Sequence, residues 1–310
     1  MNPETSRLEL RNHFQISGTT IYGRSAVFFS LPFLGAGIFI ILLGLGVIPS
    51  DENKFHVSRG LVASFGMLFF LAGVSLLIHG LLSILKQNKV DSARNERPGE
   101  LWYSDYPWDP TGIKGRGFEQ LMKRLYACAG ITVFLIPFHW LAFIEAKILI
   151  FQISIGLFEL ILFGVWLHWF YLLFQYLKHG RSYLRFDQFP FFLGEKLKVY
   201  LESSRPIRGL KELELILRCV QEAYETRGSG ENRRMVVVSY QIFAEKKKFD
   251  DAQIYQQDVL RLPVEFQLPA DKEYAGSLSA RPPRFWEIEV KAQTPGIDYR
   301  ANFFVPVYVK

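Results

Sequence analysis

Two incompatible periodicities divide this chain. Residues 26–48, 60–85, 126–144 and 148–177 are almost unbroken apolar runs, whose only acid or base is Glu159 apart from histidines. A bilayer core about 30 Å thick takes about 20 such residues as a helix, so the pattern predicts four membrane spans. Short connections pair them into two α-hairpins: 49–59 links the first two, and Glu145, Ala146 and Lys147 alone link the last two. Pro137 interrupts the third span, which is tolerated where neighbouring helices satisfy the freed carbonyl. The hairpins are joined by a polar loop, 86–125, read as cytosolic. Gly66, Gly73 and Gly80 recur every seven residues, as do Gly37 and Gly44. That spacing puts small residues on one face of each of the first two spans, where helix backbones approach closely in lipid.

From about residue 182 the period falls to two. Leu197, Val199 and Leu201 alternate with Lys196, Lys198 and Tyr200, and the same rhythm runs through 260–268, 286–291 and 299–307. Strands buried on one face read this way. Turn signals at 227–232, 269–271 and 295–296 separate them. About seven strands are expected, forming an antiparallel sandwich over 182–310. One stretch, 210–224, fits a strand through Leu213, Leu215, Leu217 and Cys219 and also a helix through Leu210, Leu213, Leu217, Val220 and Tyr224. Its neighbours favour the strand. The fold class expected is a multi-domain membrane protein: a segment 1–25, a four-helix transmembrane region 26–177, and an all-β sandwich.

Charge adds an orientation. Lys86, Lys89, Arg94, Arg97, Lys114, Arg116, Lys123 and Arg124 crowd the long loop, and Arg7, Arg11 and Arg24 precede the first span. Lys178, Arg181 and Arg185 follow the fourth. The opposite side has Lys54, Arg59 and Lys147. The excess of basic residues marks the cytosolic side, so both termini and the sandwich are expected there. The same distribution accounts for the net charge of +6 without nucleic acid as a partner. The first apolar run lies behind some two dozen mostly polar residues and is too long for a signal h-region, so no cleaved leader is expected. Two cysteines, Cys128 and Cys219, make neither a disulfide framework nor a metal-ligand pattern.

Three sequence stretches carry a resemblance: LPVEFQLP at 262–269, FWEIEVKA at 285–292, and GIDYRANFFVPV at 296–307. They resemble the closing strands of an arrestin-like or immunoglobulin-like sandwich. With PGELW at 98–102 between the hairpins, the chain is similar in layout to bacterial multi-pass membrane proteins of unknown function. The resemblance implies a fold and a bacterial cytoplasmic membrane, and no reaction.

The sharpest chemical oddity is Glu159, near the middle of the fourth span, because an ionisable group there is costly and by default marks function. On a helix it shares a stripe with Gln152, Gly156, Phe163 and Trp166; the bland alternative is hydrogen-bonded packing glue. His79 and His168 are expected at similar depth, in the cytoplasmic halves of spans two and four, with His139 in the outer half of span three. His168 is nine residues past Glu159 and faces away from it. The loop aromatics Trp102, Tyr103, Tyr106 and Trp108, with Asp105 and Asp109, are expected in the headgroup belt, or less simply in a ligand cleft. No G-x-S-x-G, H-E-x-x-H or dinucleotide fingerprint occurs, and no histidine follows His179. These readings favour a membrane-anchored, non-enzymatic module without cofactor, whose sandwich binds an unknown protein through its edge strands. The alternative is a small oligomeric transporter, channel or proton-linked component using Glu159, in which four spans would require homo-oligomers. A membrane enzyme at the interfacial loop ranks last.

Overall fold

The computed structural model describes residues 8–10, 16, 23–49, 58–205, 212–230, 233–250 and 261–310. Arg7, Arg11 and Lys54 of the charge count lie outside the described residues, as do most of the 1–25 segment and of the first interhelical connection, the residues around Leu210, residues 231–232 of the turn expected at 227–232, and Leu260 of the strand expected at 260–268. Among the described residues, five α-helices occur in chain order: α1 (Arg24–Gly44), α2 (Arg59–Glu96), α3 (Leu101–Asp105), α4 (Gly117–Trp140) and α5 (Leu149–His179). The chain divides into two compact units. One comprises Thr19–Asn88 and Leu121–Tyr171, the other Met1–Gly18, Lys89–Gln120 and Leu172–Lys310.

The first unit is helical. α1, α2, α4 (running on to Glu145) and α5 are each long and apolar enough to cross a membrane. Apolar on all sides, such helices satisfy their backbone groups internally, as a bilayer demands. The heptad glycines do join α1 to α2. A Cβ on Gly37 would lie 2.5 Å from the backbone N of Phe70, and one on Gly66 would lie 2.6 Å from that of Ile41. Gly73 faces Leu34 and Gly80 faces Val27 in the same way. Pro137 has no N–H to donate, and the turn after it widens into a π-turn at Leu141–Glu145. Lys147, with φ 51°, closes the tight hairpin to α5.

The second unit is built on strands: β1 (Leu8–Glu9), β2 (Gly112–Lys114), β3 (Ser182–Phe186), β4 (Phe191–Phe192), β5 (Lys196–Ser203), β6 (Glu212–Arg227), β7 (Arg234–Asp250), β8 (Leu262–Gln267), β9 (Arg284–Ala292), β10 (Tyr299–Val305) and β11 (Val307–Tyr308). They make a five-stranded sheet β1-β7-β6-β9-β10, a four-stranded sheet β2-β3-β5-β8, and a parallel pair β4–β11. All other pairings are antiparallel. Register aligns Leu217, Ile288 and Phe303 across one sheet and Val199 with Val264 across the other. These side chains meet in one core with fully buried Trp286, whose burial alone contributes about 2–3 kcal/mol. The helical region plus β-sandwich is therefore the architecture, and 212–224 is strand. Leu213, Leu215, Leu217 and Cys219 face the core until a bulge after Cys219 shifts the register.

The boundaries need correction. α2 runs on through 86–96, where the residues are polar but helix-forming, and α4 begins at Gly117. The loop drawn as 86–125 is not a bare connection. Its β2 is a strand of the sandwich, and 89–120 groups with 172–310. A three-residue strand and a five-residue helix leave too few repeats for periodicity to reveal.

Candidate functional site

Within the helical unit, α4 and α5 meet along a polar ladder. Gln152, Glu159 and Trp166 stand seven residues apart on α5, so they share one face of that helix. Each meets a partner on the antiparallel α4 side. Gln152 Nε2 donates to the carbonyl of Ala142 at 3.3 Å, Glu159 Oε1 lies 2.8 Å from His139 Nδ1, and Trp166 Nε1 donates to Thr132 Oγ1 at 3.2 Å. Trp169 Nε1 adds a bond to the carbonyl of Leu121 at 3.2 Å. On one flank of the helix pair runs an apolar groove of about 410 Å³, lined by residues such as Phe134, Phe138, Phe158 and Val165.

The stripe expected around Glu159 is thus present, with Gln152 on it. The two histidines expected at similar depth, His79 and His168, lie off it. His168 stacks on Tyr171 at 6.4 Å between ring centroids, and His79 is exposed on α2. The histidine that reaches Glu159 is His139, whose ring also lies 4.5 Å from that of Phe143. Hairpin geometry was the available signal: two helices joined by a tight turn lie antiparallel and side by side, which makes the third span the neighbour within reach of Glu159.

The loop aromatics are corrected more fully. Instead of lying in a headgroup belt, Trp102, Tyr106 and Trp108 pack on the sandwich. Trp102 meets Phe192 edge-on at 6.0 Å and Tyr308 at 6.2 Å, and Tyr106 meets Trp108 at 4.6 Å and Phe304 at 5.9 Å. Tyr103 stays exposed under the Arg97 guanidinium, 4.6 Å from its ring centre. Asp105, named in the sequence only as an acid beside these aromatics, is the anchor. Buried, it accepts from the backbone N–H of Leu278 (2.8 Å) and Ser279 (2.6 Å) and from the Tyr308 hydroxyl (2.9 Å). Trp108 Nε1 donates to that same hydroxyl at 2.9 Å. Burial, then the neighbouring Asp105 carboxylate, push the Tyr308 phenol far above its ordinary value. These groups and the ring contacts beside them hold the segment in place.

Two further clusters belong to this unit. On the outer face of the five-stranded sheet, buried Arg218 contacts Glu287 (2.9 Å), its direct cross-strand partner, and Glu289. At the end of α5, Lys178 Nζ donates to Thr294 Oγ1 (3.0 Å) and to the carbonyls of Pro295 (2.6 Å) and Ile297 (2.9 Å). Gln175 donates to the carbonyl of Asp298 at 2.7 Å. The β9–β10 turn therefore receives the last turns of α5 through fixed polar contacts.

The β6–β7 hairpin outruns its sheet. Pairing of β6 with β9 ends at Gln221 opposite Arg284, whereas β6 and β7 stay paired to Arg227 opposite Arg234. Among the described residues, 223–238 is a two-stranded ribbon. Opposed residues share a face, so Tyr224, Val237, Thr226 and Met235 line one side. Met235 is 59 % exposed.

Among the described residues, no group of three or more His, Cys, Asp or Glu is placed to hold a metal. Cys128 and Cys219 are buried free thiols, and burial pushes Cys219 up.

No family model matches the chain, and no curated protein matches it. Among solved structures, the sporulation control protein Spo0M from Bacillus subtilis matches 42 % of this chain and 49 % of its own, at 12 % identity and a TM-score of 0.24. A β-glucosidase from Listeria innocua, in complex with gluconolactone, matches 42 % of this chain and 16 % of its own, at 18 % identity and a TM-score of 0.16. The match therefore spans under half of Spo0M and about a sixth of the glucosidase. At such scores neither likeness carries an argument about what this chain does.

Proposed function

We propose that this chain is a membrane-anchored interaction module. In this reading the four helices hold the sandwich at the cytosolic face of a bacterial membrane, where it binds a partner protein without catalysing a reaction. The observation that carries it is the ribbon 223–238. A two-stranded ribbon is marginally stable alone in water, and this one offers an exposed methionine and a tyrosine, residue types enriched where proteins meet, beside valine. The sheet edges other than β10 are less inviting than the sequence suggests. β1 and β2 are two and three residues long, β8 carries Pro263, and β7 carries Lys246, Lys247 and Lys248. Short strands, proline and lysine are the usual means of blunting an edge. The basic residues around the long loop support the cytosolic side, and an arrestin-like or immunoglobulin-like cast of the sandwich fits the same role.

The test is a photo-crosslinking residue at Met235 in the full-length protein in native membranes. One specific protein adduct is expected, and the same protein is expected to leave the purified complex when 223–238 is replaced by a short turn. Complexes unchanged by that replacement, with the sandwich still folded by tryptophan emission, would refute the reading.

The His139–Glu159 contact favours a second reading, an ion- or proton-linked component. Glu159→Gln is then expected to abolish a proton or cation flux in proteoliposomes, while the ribbon-shortened chain keeps it. Equal flux from Glu159→Gln and the unaltered chain would exclude this role.

A further inference from the structure

We infer that the His139–Glu159 face of the α4–α5 hairpin is the docking surface for a second copy of this chain. The pair sits deep in the apolar helices. Glu159 is ten residues beyond Leu149, about 15 Å along α5, or half the thickness of a hydrocarbon core. Yet the side chains remain 52 % and 47 % exposed. Polar groups in spans face a bundle interior or another helix, because hydrocarbon offers them no partner. Something therefore covers this pair.

The chemistry selects the occupant. Glu159 uses Oε1 and His139 uses Nδ1 in their mutual contact. A Glu–His pair that is neutral overall holds two protons, one in the mutual contact and one on an outer atom, so the other carboxylate oxygen and the other ring nitrogen are one donor and one acceptor, a set complementary to itself. A two-fold axis brings that set onto its own copy, so that residue i meets j and j meets i. Space is available on the same face: one turn before Glu159, a Cβ on Gly156 would find nothing within 4 Å. One turn after it, Phe163 is 60 % exposed. A small residue beside a polar one suits close helix approach in lipid. The inference stands apart from the ribbon and concerns assembly rather than flux, so its failure leaves both functional readings to their own tests.

The experiment is light scattering on the full-length protein in detergent, joined to disulfide crosslinking of Gly156→Cys in a chain carrying Cys128→Ala and Cys219→Ala. Twice the 35.9 kDa chain mass is expected, with a covalent dimer on oxidation. The double variant His139→Leu with Glu159→Leu is expected to weaken the dimer about tenfold, as the loss of two interhelical hydrogen bonds would. Glu159→Gln, which keeps an acceptor, is expected to weaken it less. A monomeric mass, a dimer that does not crosslink at 156, or a dimer unmoved by the double variant would each overturn the inference. In those cases lipid, water or another protein covers the pair.

Discussion

Asp105→Ala is expected to lower the stability of the sandwich by about 3 kcal/mol, the scale of leaving several buried donors without a charged acceptor. The side chain takes three hydrogen bonds at once, from Leu278 N, Ser279 N and the Tyr308 hydroxyl. Alanine strands all three, and the effect runs on to Trp108, whose indole N–H donates to that hydroxyl. Asp105→Asn keeps one acceptor oxygen but turns an NH2 toward the remaining donors, so a loss about half as large is expected. Denaturant midpoints read by tryptophan emission measure both. Limited proteolysis should also open the segment between α3 and β2 in the alanine variant first, because Asp105 ties that segment to residues 173 to 203 positions away. An unchanged midpoint would mean that aromatic packing alone holds it.

Arg218→Met is expected to cost more, about 3–5 kcal/mol, since it removes the directly cross-strand cation from a buried carboxylate on which the charge of Arg116 also acts. Glu287 is 1 % exposed and lies directly across the strand pair from Arg218. Glu289, the second partner, also has Lys291 at 3.0 Å and is the less dependent of the two. Removing both members, as Arg218→Met with Glu287→Leu, should recover most of the loss, because apolar side chains of similar volume replace a buried pair at little cost. The comparison of single and double variants by chemical denaturation is the check. A double variant as unstable as the single one would show that the cluster does more than neutralise itself.

The two clusters share a lesson about legibility. Each residue in them was visible in the sequence, yet nothing about residue type or spacing announced the contact. Arg218 and Glu287 read there as the solvated side of alternating strands. The N-terminal segment and the long loop supply part of the second, smaller cluster on that outer face, through Leu10, Ile16, Tyr106 and Trp108.

Membrane spans and half-buried strands are local properties, and the chain by itself determined them. Twenty apolar residues cannot rest in water whatever their neighbours, and a period of two selects the inward face of a strand without knowledge of its partner. The glycine heptads belong here too, because the requirement for close approach is written into side-chain size. The same locality put Gln152 and Trp166 on the stripe of Glu159. Partner choice was decided by the tertiary structure alone. His139 rather than His168 reaches Glu159, and Trp108 reaches Tyr308 rather than lipid, because each contact depends on the register between elements distant in sequence. Periodicity fixes the face a residue occupies; only the packing of one element on another fixes what that face meets.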